Sequence, residues 1–425
     1  MEKMATETKE SEGELVQEER CKYVILIGDG MADYPVGSIG GKTALEAARL
    51  SFINKLCASG VTGAVATVPH NLPPASDVAN MSLFGYDPVE YYTGRGAIEA
   101  EAMGIHMNPE DVAFRCNLVT LSLKDNRIFM SDYSAGHIST EEGAEIIKTL
   151  AKEMPSRSFA LYPGVSYRHI LLWSGGPEGI STIPPHDVTG QDVTEAWRLY
   201  EEEPLLNEFL NSAVDILHRH PVNQKRKAEG KSVANFLWPW GQGRRPFMPS
   251  IEKEYGLKGA VIAAVDLIKG LAKLTDMTII NVEGATGYLD TNYKGKAQAA
   301  LEALKDHDLV IVHVEAPDEA GHMGDIREKI RAIEQFDREV VGTVFNGLNE
   351  AYTKFKLMVT TDHFTPVALK THAAGNVPFV IYDAVDLKDN PGACFSEKAA
   401  FQSSLQIKPG YRLMEQFIGK KHTAN

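Results

Sequence analysis

Five side chains able to ligate a metal fall within fifty-five residues near the C-terminus: Asp318 and His322 in DEAGH, Asp362 and His363 in TTDHF, and His372 in KTHAAG. Carboxylate and imidazole donors without thiolate suit hard or borderline divalent cations such as Mn²⁺, Mg²⁺ or Zn²⁺. Five donors exceed what one open catalytic cation normally takes from protein. The surplus implies two cations, and two cations imply chemistry on a phosphate. Asp318 and His322 are four residues apart, so on a helical turn they face the same side. Any one of these residues alone reads more simply as structural; their combination points to a shared site.

A nucleophile candidate stands far upstream. Ser76, in NLPPASDVANMSLFGYDP, precedes an apolar helical run of Val78, Met81, Leu83 and Phe84. Serine at a helix start is ordinarily a cap. The same geometry also serves phosphoryl transfer, because the positive helix end attracts phosphate and a metal-bound serine alkoxide is a competent nucleophile. The cationic candidates for holding a substrate are Arg95 in YYTGRGAIEA, Arg168 in SYRHI, Arg226 and Lys231, with His137 in DYSAGHIS as a polar one. Taken singly, each also reads as a surface charge or an ion-pair member. GSIGGKT at 37–43 resembles a P-loop, but GxxxxGK[ST] requires glycine where Val36 stands.

The elements that would position these residues follow from pattern. YVILIG (23–28) is a continuous apolar run with the character of a strand buried on both faces, and it ends at Asp29. DLVIVHV leads in the same way to Asp318, and KLMVTT leads to Asp362 and His363; VPFVIYD supplies a further strand. Ligand sites of open α/β sheets lie at such carboxyl ends. One helix is expected at about 43–58, with Thr43 as N-cap and Glu46 completing a capping box. Another stripe, Ile326, Ile330, Ile333, Val340 and Val344, predicts a long amphipathic helix. Strands alternating with helices imply a mostly parallel sheet. Between 112 and 227 shorter strands and turn-rich links predict an inserted α+β module. The expected division is an acidic disordered tail at 1–20, a discontinuous core at 21–111 and 228–425, and the insertion at 112–227.

Composition bounds the function. The 425 residues are 44% hydrophobic and 24% charged, as in a soluble globular chain. A net charge of −14 argues against nucleic acid as a partner. It also means that an anionic metabolite needs a local cationic pocket. No apolar run is long enough to span a bilayer, and the glutamate-rich N-terminus is neither a secretory signal nor a transit peptide. Four widely spaced cysteines, Cys21, Cys57, Cys116 and Cys394, read as reduced thiols of a cytoplasmic protein. No feature of the sequence sets an oligomeric state.

With these residues in view, the chain closely resembles the archaeal-type, cofactor-independent phosphoglycerate mutases of the alkaline phosphatase superfamily. The resemblance runs from about Lys22 to the C-terminal region through GDGMADYP, GGKTALEAA, PASDVANMSLFGYDP, YYTGRGAIEA, GVSYRHILLW, PPHDVTG, VEGATGY, HVEAPDEAGHMGD and TTDHFTP. It implies an α/β alkaline-phosphatase-like core with an inserted lid, and two divalent metal ions, Mn²⁺ foremost, with no requirement for 2,3-bisphosphoglycerate. Asp29, Ser76, Asp362 and His363 would hold one ion; Asp318, His322 and His372 would hold the other. Ser76 would carry the phosphoryl group between 3- and 2-phosphoglycerate, and His137 and Arg168 would hold the glycerate from the lid. A related branch proposed to phosphorylate homoserine shares the metal motifs; DPVEYYTGRGAIEA looks more like the mutase branch. A phosphatase or sulfatase would need an open site, and a non-catalytic scaffold would need a missing ligand or nucleophile.

Overall fold

The computed structural model describes residues 20–419. The acidic segment expected to be disordered lies, apart from Arg20, outside the described residues. Among the described residues thirteen strands form two sheets. The first contains β1 (Lys22–Gly28), β2 (Val61–Val65), β8 (Gly259–Ile262), β9 (Thr278–Ile279), β10 (Leu309–Val314), β11 (Phe355–Thr360), β12 (Val377–Asp383) and β13 (Gln406–Ile407). Their order is β13-β2-β12-β11-β1-β10-β8-β9. All neighbours run parallel except β12, which is antiparallel to both β11 and β2.

The central strands are apolar throughout because both faces are covered. Val24 and Leu26 of β1 join Val310 and Val312 in one buried layer. Ile25 and Ile27 join Leu309 and Ile311 in the layer on the opposite face. Each such side chain contributes about 1.5–3 kcal/mol by leaving water, so the middle of the sheet is the rigid part of the molecule.

Two helices replace the single one expected at 43–58. Thr43 does cap Ala44–Ala47, and the reciprocal Glu46 bond completes the capping box. The chain then extends at Ala48 and restarts as Ser51–Ser59. The restart is fixed from outside: the Asp337 carboxylate accepts from the N–H groups of Phe52 and Ile53, the latter at 2.7 Å. Asp337 itself lies in a wider π-helical stretch, Phe336–Val341, which interrupts the long helix read from the 326–344 stripe. A widened turn of this kind re-aims a side chain.

The second sheet contains β3 (Val112–Lys124), β4 (Arg127–Asp132), β5 (Phe159–Tyr162), β6 (Arg168–Trp173) and β7 (Phe236–Gly243). Its pairings are all antiparallel. The core was expected to resume at 228, but β7 pairs with β3 across Ala113–Val119. The chain next joins the first sheet at β8, so the run FLWPWGQG belongs to the second sheet. The tryptophans explain this placement: Trp238 and Trp240 are buried in the second sheet's own apolar cluster.

Candidate active site

Three adjacent parallel strands bring the metal-type residues together. β11, β1 and β10 lie side by side, with Thr360 and His313 both level with Ile27. Parallel neighbours about 4.8 Å apart end at the same edge, so Asp362, Asp29 and Asp318 arrive there from 362, 29 and 318 in the chain. Asp29 is the middle member. Gly30 allows the tight approach: its φ is +58°, and a Cβ there would lie 2.6 Å from Asp318 Oδ1. A side chain at this position would be both strained and blocked.

Around Asp29 the contacts are close. His363 Nε2 lies 3.3 Å from Asp29 Oδ1 and 3.5 Å from Asp362 Oδ2. Asp362 is further held by the Gly30 N–H at 2.9 Å and by Asn80 Nδ2 at 2.8 Å. Ser76 is the first residue of the helix Ser76–Leu83; the cap position is Ala75 and has no side-chain bond. Ser76 therefore does not cap its helix. Its Oγ instead lies 2.9 Å from His363 Nε2.

On the other side of the edge, the helix Ala316–Met323 places Asp318 and His322 on one face, with Oδ2 and Nε2 3.2 Å apart. His372 Nε2 is 3.5 Å from Asp318 Oδ1 and 3.1 Å from His322 Nε2. The His322 Nδ1 pairs with the Lys370 carbonyl at 3.0 Å, which fixes the ring. His363 and His372 lie with ring centroids 4.1 Å apart, so the two groups form one continuous cluster.

Electrostatics show what the cluster lacks. Burial, reinforced by the charges of Asp362 and Asp318, pushes Asp29 well above the usual carboxylate range. Burial lowers His363 to about 4, leaving a neutral ring. At Asp318 burial works upward, but the hydrogen bonds and charges of His322 and His372 outweigh it and hold the carboxyl well below its ordinary value. Asp29 Oδ1 is buried with no hydrogen-bond partner. Crowded buried carboxylates, the neutral His363 ring and the unpartnered Asp29 oxygen fit a divalent cation in the first group. In the second, the hydrogen bond and charge of Asp318 outweigh burial and raise His322 to about 9, so a cation bound there would take the place of that proton.

The cluster opens into a cavity of about 260 Å³ lined by Asp29, Ser76, Arg95, Arg115, Arg168 and Glu319, among others. This is the local positive field that the net charge of the chain demanded. Arg95 Nε and Arg115 Nη1 both bind Glu99 Oε1, at 2.7 and 2.6 Å. Both guanidiniums also lie over the Trp240 ring, 5.7 and 5.1 Å from its centroid. Burial lowers Arg115 to about 10 against the pull of Glu99, so it stays cationic at neutral pH.

The other candidates lie elsewhere. His137 is exposed, packs edge-on to Tyr133 and Tyr167, and does not line this cavity. Arg226 is buried against Glu142 at 2.6 Å and bonds two carbonyls, so its charge is used structurally. Lys231 pairs at the surface with Glu229. Conversely, Arg115, Glu99, Asn80 and His313 escaped the sequence reading. Arg115 carried a signal, a lone cation inside the apolar run of β3; Asn80 carried another, four residues after Ser76 on one helix face. Among the described residues no helix is long and apolar enough to cross a membrane.

Comparison with known proteins agrees with this geometry. Residues 57–223 match the family model for 2,3-bisphosphoglycerate-independent phosphoglycerate mutase. A probable mutase of that name from Geobacter sulfurreducens is 46% identical over 94% of this chain and 100% of its own length. One from Methanosarcina barkeri is 47% identical over 91% of this chain and 96% of its own. Among solved structures, the PH0037 protein from Pyrococcus horikoshii superposes with a TM-score of 0.79 at 28% identity, covering 96% of this chain and 99% of that one. Relatives at 46% and 47% identity that match along nearly the whole chain show that it belongs to the 2,3-bisphosphoglycerate-independent phosphoglycerate mutase family.

Proposed function

We propose that this protein interconverts 3-phosphoglycerate and 2-phosphoglycerate without 2,3-bisphosphoglycerate, with Ser76 carrying the phosphoryl group in transit. The observation that carries this reading is the position of Ser76 Oγ, 2.9 Å from His363 and facing the arginine-lined cavity. Asp29, Ser76, Asp362 and His363 would hold one divalent cation, and Asp318, His322 and His372 a second, with Mn²⁺ the preferred ion. When bound, such a pair lowers the pKa of the serine hydroxyl and neutralises charge on the transferring group.

The chain's own residues do the rest. The Ser76 oxygen attacks phosphorus, and the bond from phosphorus to the substrate's C3 oxygen breaks. Glycerate remains in the cavity and turns, and its C2 hydroxyl then attacks the same phosphorus while the bond to Ser76 breaks. Arg95, Arg115 and Arg168 suit the carboxylate and phosphate through forked, charge-assisted hydrogen bonds. The module built on the second sheet, 112–243, which supplies Arg115 and Arg168, would act as a lid with its hinges near the module's two ends. It must exclude water while the phosphoserine exists, because hydrolysis would convert the mutase into a phosphatase. The free thiols of Cys21, Cys57, Cys116 and Cys394 support a cytoplasmic setting, and the interconversion itself would be a step of glycolysis.

Conversion of 3-phosphoglycerate, coupled to enolase and run without 2,3-bisphosphoglycerate, tests the reading. Turnover is expected for the metal-loaded protein, with a loss of at least about 10⁴-fold in Ser76→Ala. Product from homoserine and ATP in place of mutase turnover would assign the chain to the kinase-like branch instead.

A further inference from the structure

We propose that Asp29, His313 and Glu315 form a third divalent-cation site, so that the loaded chain carries three ions. The inference rests on the metal reading given above and extends it to residues outside the seven assigned there. The ligand atoms of these three residues lie within 4.8 Å of one another. Among the described residues seven buried side-chain polar atoms have no hydrogen-bond partner, and two of the seven, His313 Nε2 and Glu315 Oε2, belong to this group. Such atoms are costly to leave unmade, so their convergence marks a missing partner and not a scatter of small defects.

The fold explains the convergence. Side chains alternate along β10, so His313 follows Leu309 and Ile311 on one face of the sheet, the face that also carries Ile25 and Ile27 of β1. Asp29 continues that face beyond β1, and Glu315 lies just past the end of β10. Asp29 has an oxygen toward each neighbour: Oδ1 is 3.3 Å from His363 Nε2 and Oδ2 is 3.2 Å from His313 Nε2. Asp29 is thus placed to bridge the ion held with Asp362 and the additional one. An internal cation does not fill this role. Lys296 is buried nearby, but its hydrogen bond goes to the His313 carbonyl at 3.0 Å and leaves Glu315 Oε2 unpartnered. One imidazole and two carboxylates suit Mn²⁺, Mg²⁺ or Zn²⁺, and the residues face the cavity, where water can complete the coordination.

Equilibrium dialysis of the full chain against excess Mn²⁺, with bound metal counted by mass spectrometry, tests this. Wild type is expected to hold one more ion per chain than Glu315→Gln, and one more than His313→Gln; far-UV circular dichroism checks that both variants are folded. In Asp318→Asn a different ion should be lost, with the Glu315-dependent one retained, so that adding Glu315→Gln removes a further equivalent. A wild-type count of two, or folded Glu315→Gln and His313→Gln proteins that bind as much as wild type, overturns the third site and leaves the two-metal reading standing. A wild-type count below two overturns both. A misfolded variant does not rescue the idea, because the wild-type count alone decides against it when it is two.

Discussion

Asn80 Nδ2 bridges two residues of the site, donating to the Ser76 carbonyl at 2.9 Å and to Asp362 Oδ2 at 2.8 Å. One amide thus ties the first turn of the serine helix to a carboxylate at the end of β11, 282 residues away. The relation sets the distance between Ser76 and the group it must act with.

Asn80→Ala should therefore slow the chemical step more than it weakens substrate binding. Loss of a hydrogen bond to a charged group is worth about 1.5–3 kcal/mol, or roughly 10–100-fold in kcat. Steady-state kinetics with enolase coupling would show kcat falling with KM nearly constant. A rise in KM alone would mean that Asn80 contacts substrate and does not position the serine.

Metal removal should cost stability as well as activity. Asp29, Asp318 and Asp362 are each 5% exposed or less and lie together, so they repel one another unless a cation stands between them. Chelation is expected to abolish turnover and lower the melting temperature by several degrees, since ligand at a hundredfold excess over Kd stabilises by about 2.7 kcal/mol. Adding Mn²⁺ back should restore both. Unchanged melting on chelation would separate the cluster from metal binding.

The arginines predict a binding phenotype. Arg168→Lys keeps charge but removes the planar fork. A loss of one charged hydrogen bond, about 1.5–3 kcal/mol, should raise KM for 3-phosphoglycerate roughly 10–100-fold. Arg226→Lys, which alters a residue buried away from the cavity, should leave KM unchanged while lowering the melting temperature.

A buried ion pair offers a stability test outside the site. Lys329 Nζ donates to Asp33 Oδ2 at 2.9 Å and to the Thr365 carbonyl at 2.7 Å, and both side chains are fully buried. Lys329→Met should destabilise by about 3–5 kcal/mol by leaving Asp33 uncompensated. Asp33→Asn on that background should recover part of the loss in denaturant melts, the signature of a coupled pair.

Much of this architecture was legible because its signals are local. The apolar runs of β1, β10 and β11 appear within one residue or two of their expected bounds, since a strand buried on both faces must be continuously hydrophobic. Thr43 and Glu46 are likewise three residues apart and build their box unaided. The break after Ala47 was not legible, because the carboxylate that starts the next helix comes from Asp337, 284 residues from Ile53. Nor was β7, whose partner β3 lies more than a hundred residues upstream.

By itself the sequence determined the kinds of donor present, the strand ends that carry them, and a net charge that demands a cationic pocket. These follow from residue type and short-range periodicity. Tertiary structure decided the neighbours: that β11, β1 and β10 lie side by side, that Ser76 faces His363 and does not cap its helix, and that Arg115 and His313 join the site. Pairing between distant segments is set by which faces can be buried together, and that choice belongs to the whole chain.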